Sequence, residues 1–74
     1  MLAVEALKMV MELNGIRNKT LCDRLSIKSN VLSERLKQTN ISVTKLDEMA
    51  RVMDYKIVLM PSDAPTPKGG FEIE

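Results

Sequence analysis

Two pairs of leucines, Leu21 with Leu25 and Leu32 with Leu36, each repeat at a spacing of four and are separated by a break at residues 26–29. That spacing puts both side chains of a pair on one face of an α-helix, so each pair marks a short amphipathic helix. The break is too short for anything but a sharp turn between helices. The chain is thus committed to two short helices folded against each other, and its remaining segments must supply the surface they pack on.

The flanking segments read as helices as well. Ala3, Leu7, Val10 and Met11, with Val4 on the shoulder, form one apolar face that ends at Asn14 and Gly15, where glycine can take the left-handed conformation that closes a helix. Ser42 is a good N-cap for a last helix whose stripe runs Val43, Leu46, Met49, Ala50, Val52 and Met53 and which Asp54 ends. Asn18 and Ser29 are the expected caps of the two middle helices. Met9, Met11, Met49 and Met53 are expected to fill core gaps, and Cys22 to be a buried, inert thiol. The expected fold is mainly α, a four-helix domain over residues 1–54.

After this domain the period changes. Tyr55, Ile57 and Leu59 alternate with Lys56, Val58 and Met60, and β-branched and aromatic content predicts a strand over 55–60 that Pro61 stops. Both faces of that strand are largely apolar, and a lone strand lacks partners for its backbone and its side chains. Its expected partner is the same strand of a second chain, which makes Tyr55, Ile57, Val58, Leu59 and Met60 a homodimer interface. Residues 61–74 form a Pro/Gly-rich tail. It reads equally as a disordered end or as a return that pairs residues 71–74 as a second short strand.

Composition removes several classes of function. Seventy-four residues make one domain with a thin core. No apolar run approaches the roughly 20 residues that cross a bilayer. One cysteine and no histidine exclude an internal disulfide and a zinc finger, and fit a reducing, cytoplasmic setting. There is no histidine or tuned acid pair for catalysis, and Gly69-Gly70 lacks the Lys-Ser/Thr sequel of a phosphate loop, so no enzyme, cofactor or metal is expected. The formal net charge is only +1, but it is unevenly spread. Residues 17–38 carry Arg17, Lys19, Arg24, Lys28, Arg35 and Lys37 against Asp23 and Glu34, a local +4, and the rest of the chain is net negative. A basic middle suits an edge that faces phosphates.

The run NKTLCDRLSIKSNVLS over residues 18–33, followed by SVTKLDEMARVM over 42–53, resembles the helix-turn-helix and next helix of the lambda-repressor and Cro-like (Xre) family. The resemblance covers about residues 4–55. It implies that the second helix of the pair enters the major groove of duplex DNA while the first crosses the backbone. The family has a small residue at Cys22, an apolar one at Leu25 and usually glycine at Ser26, which implies a serine held here in an uncommon backbone conformation. Arg17 and Lys28 stand where the family tends to place capping Ser or Thr, and further helices commonly occupy the place of the strand. Ser29, Asn30 and Ser33 match base-contacting positions.

The residues themselves point to the same helix. Asn30, Ser33, Glu34 and Lys37 lie opposite Leu32 and Leu36, where Asn can bond bidentately to adenine, Ser to several base edges, and Glu to cytosine N4. The stripe also reads as a solvated face, with Glu34 paired to Lys37 or Gln38. Asn18, Lys19 and Lys28 at helix N-termini, with Lys37, Thr39 and Asn40 after the reading helix, suit phosphates. The expected function is a sequence-specific transcriptional regulator, a repressor that binds a palindromic operator as a homodimer. The alternative is an antitoxin or adaptor that captures a protein through the C-terminal strand and tail, with Phe71 and Ile73. No small-molecule ligand is expected.

Overall fold

The computed structural model describes residues 1–74. Four helices follow one another: α1 (Ala3–Leu13), α2 (Asn18–Leu25), α3 (Ser29–Lys37) and α4 (Val43–Arg51). Each boundary has a local cause. The Leu2 N–H donates to Glu5 Oε1 at 2.6 Å, which satisfies one of the amides that open α1. Gly15, at φ +64°, turns the chain out of that helix, and the Ile16 N–H reaches back to the Met11 carbonyl at 2.8 Å. Ser42 caps α4 as expected, its hydroxyl accepting from the Lys45 N–H at 3.2 Å.

Helices α3 and α4 each pack on both α1 and α2, so the apolar stripes converge on one core. Leu21, Leu32 and Met49 are fully buried at its centre, with Leu7, Val10, Leu36 and Leu46 around them. Burial of each large apolar side chain is worth about 1.5–3 kcal/mol, so this cluster supplies the main cohesion of the domain. Cys22 lies within it as a free, buried thiol. No helix is long and apolar enough to cross a membrane.

Several expectations need correction. Asn18 and Ser29 are the first helical residues, and the cap positions of α2 and α3 belong to Arg17 and Lys28, whose cationic side chains cannot accept a hydrogen bond and make no cap. Helix α4 stops at Arg51, and a turn carries the chain through Asp54 at φ 62°. Val43 is 71% exposed, and Met9 is exposed as well. Ile41, in the irregular connector before α4, is buried instead.

The largest correction concerns the C-terminal arm, residues 55–74. It contains no strand: Tyr55, Ile57, Val58, Leu59 and Met60 form no ladder, and residues 71–74 form no second strand beside them. A ladder needs a second edge, and this chain offers none. Turns at residues 61–64 and 67–70 redirect the backbone, each closed by one hydrogen bond, Ala64 N–H to the Pro61 carbonyl and Gly70 N–H to the Pro67 carbonyl. Phe71 then packs against the helical core, and the Glu74 N–H donates to the Met1 carbonyl at 3.0 Å. The Tyr55 hydroxyl ties the arm at its base, donating to the Gly69 carbonyl at 2.9 Å and accepting from Asn14 Nδ2 at 3.3 Å.

Candidate nucleic-acid interface

The site is built from the turn between α2 and α3 outward. Ser26 adopts the left-handed conformation at φ 56° and ψ 43°, and its neighbour Ile27 donates to the Cys22 carbonyl at 3.1 Å. This closes α2 within three residues and starts α3 at Ser29. Leu32 and Leu36 hold α3 by its inner face, which fixes the opposite face outward.

On that outer face Ser29, Asn30, Ser33, Glu34 and Lys37 are all exposed. No side-chain hydrogen bond or ion pair within the chain engages Asn30, Ser33, Glu34 or Lys37. The Glu34 carboxylate therefore makes no pair with Lys37 or Gln38. Val31 stands among these polar groups with 38% of its surface exposed, an apolar member of the face that a pattern of polar groups opposite the leucines does not include. Its signal in the sequence was its place on α3 between Asn30 and Leu32, off the buried stripe.

Asn18, Lys19, Lys28, Thr39 and Asn40 are exposed too. Asn18 and Lys19 occupy the first turn of α2, and Lys28 immediately precedes α3. With no side-chain cap at either start, the amides of Asn18, Lys19 and Thr20 in α2 and of Ser29 and Asn30 in α3 keep their hydrogen-bonding capacity, and the helix dipoles add a partial positive charge there. Thr39 and Asn40 sit in the bend after α3, beyond Lys37.

Two of the six basic residues counted along this edge have structural work instead. Arg35 Nη1 reaches Glu48 Oε1 at 3.1 Å, bracing α3 to α4 with its side chain only 14% exposed. Arg24 Nη1 donates to the Val52 carbonyl at 2.9 Å, tying α2 to the end of α4. The cations left unpaired on this edge are Arg17, Lys19, Lys28 and Lys37. The outcome is a polar helix face with basic groups and two uncapped helix starts beside it, and no cluster of side chains able to hold a metal ion.

Comparison with protein-family models, with curated proteins and with solved structures gave no match to this chain.

Proposed function

We propose that this protein is a sequence-specific DNA-binding regulator that lays α3 in the major groove. The observation that carries the reading is the two-sidedness of α3. Leu32 and Leu36 are buried, while Asn30, Ser33, Glu34 and Lys37 project outward with every side-chain donor and acceptor unengaged within the chain. An exposed helix is narrow enough for the major groove, and this one carries groups that discriminate base edges. Asn30 reads adenine, Ser33 and Glu34 meet neighbouring base edges, and Val31 offers an apolar contact for a thymine methyl. Phosphates on either side are met by the first-turn amides of α2 and α3, by Lys19, Lys28 and Lys37, and by Thr39 and Asn40.

The resemblance of residues 18–33 and 42–53 to the lambda-repressor and Cro-like family supports this reading. So does the left-handed Ser26, which has the backbone conformation that a glycine would adopt without strain at that family position. Occupying an operator in the cytoplasm would make the protein a repressor. The test is binding of the full chain to random and selected duplexes across a range of salt concentration. Phosphate contacts give a steep salt slope, and base contacts give a preference for the selected site. Asn30→Ala is expected to weaken the selected site by about 1–3 kcal/mol and to leave random duplexes nearly unaffected. Equal affinity of the variant for the selected site removes α3 as the reading element.

A further inference from the structure

The helices and the arm enclose a cleft that DNA reading does not use. It measures about 770 Å³, within the roughly 300–1,000 Å³ of sites that hold small molecules. Its floor is the helical core, Leu7 and Val10 of α1 with Leu46 and Ala50 of α4, and the arm forms the rest of its wall. Neither α2 nor α3 contributes to it, so an occupant of the cleft and a duplex on the proposed reading face do not compete. No local pattern in the sequence marks the cleft, because its walls come from segments that meet only in the fold.

The chemistry of the lining is selective. The chain has two aromatic residues, Tyr55 and Phe71, and both line the cleft. Each is held in place, Tyr55 by the bonds of its hydroxyl to Asn14 and Gly69, and Phe71 by packing against the core. The charged lining residues are Glu72, Glu74 and Lys56, two carboxylates against one ammonium. The Thr66 hydroxyl donates to Glu72 Oε1 at 2.6 Å, which orients that carboxylate and leaves its second oxygen free, and neither glutamate is paired with a cation of the chain. Aromatic faces and carboxylates both attract positive charge, and an apolar floor favours a ligand body that leaves water. We infer that the cleft is a binding site for a lipophilic organic cation, a drug-sized apolar molecule that carries a single quaternary or protonated centre. An anion of the same shape meets the excess carboxylate, and a neutral one gains from neither the carboxylates nor the charge of the aromatic faces. The site is separate from α3 and stands whether or not α3 reads DNA.

Tetraphenylphosphonium and tetraphenylborate test this, because they share size and shape and differ in the sign of their charge. Each is titrated into the full chain without DNA and followed by amide chemical shifts, which report affinity and location together. The phosphonium is expected to saturate with a dissociation constant on the order of 10 μM and to shift residues 55–60 and 70–74 but not those of α3. The borate is expected to bind the cleft about tenfold more weakly. Replacing both carboxylates, Glu72→Gln with Glu74→Gln, should weaken the phosphonium about fivefold. Both side chains are exposed, so this double variant keeps its fold. Phe71→Leu should weaken it about threefold by removing one aromatic face. Failure of the phosphonium to saturate at millimolar concentration overturns the inference. Equal affinity for the borate, or a double variant that binds the phosphonium as tightly as the wild type, overturns it too. A protein that takes the phosphonium and shows no preference among duplexes keeps this site and loses the proposed function.

Discussion

The helical body, residues 1–54, and the arm, residues 55–74, are built on opposite terms. All fourteen buried residues lie between Val4 and Met53, and none belongs to the arm. The body satisfies its backbone inside helices, and its apolar stripes face one another. The arm keeps an apolar composition with neither regular hydrogen bonding nor burial, and holds to the body through Tyr55, Phe71 and the Glu74–Met1 contact. Apolar content alone therefore does not make a core; it must come with a period that one chain can close. In the body, spacings of three and four bring every stripe to the same place. In the arm, a spacing of two asks for a neighbouring edge that the chain does not contain.

The sharpest way to break this division is to remove equivalent bulk on each side of it. Leu32→Ala deletes a fully buried side chain and is expected to cost about 2–5 kcal/mol in urea unfolding. That is a large share of the stability of so small a domain. Ile73→Ala, on the half-exposed end of the arm, should stay within about 0.5 kcal/mol of the wild type. Comparable losses from the two substitutions would show that the arm belongs to the core.

The same contrast explains what was legible in the sequence. The four helices, the break at residues 26–29 and the Ser42 cap follow from local periods and cap chemistry, and they stand. The fates of Arg24 and Arg35 do not, because a cation on a helix looks the same in sequence whether it faces water, a phosphate or Glu48 on another helix. Ile41 was invisible for a related reason: it lies in an irregular connector where no period reports burial. Val43 erred the other way, continuing a stripe past the point where α1 and α2 cover it. The arm failed as a strand because propensity describes a residue's preference, whereas a ladder requires a partner.

A smaller effect probes the joint between the regions. The Tyr55 hydroxyl links Asn14, at the end of α1, to Gly69 in the arm. Tyr55→Phe keeps the ring and removes both bonds, a loss of about 1 kcal/mol that falls on the attachment of the arm and spares the body. Trypsin cleavage after Lys68 is expected to speed up about fivefold while the urea midpoint of the helices barely moves. Unchanged cleavage would mean that Phe71 and the Glu74–Met1 contact anchor the arm without the Tyr55 hydroxyl.

The smallest effect has the opposite sign and lies inside the body. Ser26 and Asp54 are the two residues other than glycine with positive φ, one at the turn between α2 and α3 and one where the body gives way to the arm. A left-handed L-residue costs roughly 1–2 kcal/mol, and glycine removes that cost while giving back about 0.5–1 kcal/mol through the entropy of its freer unfolded chain. The Ser26 side chain is exposed and makes no hydrogen bond, so nothing else is lost when it is removed. Ser26→Gly should therefore stabilise the protein by about 0.5–1 kcal/mol, raising the melting temperature by about 4 °C for a domain of this size. Ser26→Ala keeps the strained backbone and should bring no gain. Asp54→Gly should gain less than Ser26→Gly, because aspartate tolerates the left-handed region better than serine does. A Ser26→Gly protein that melts below the wild type would remove the tight left-handed turn, and with it the placement of α3 against α2 on which the proposed reading face depends.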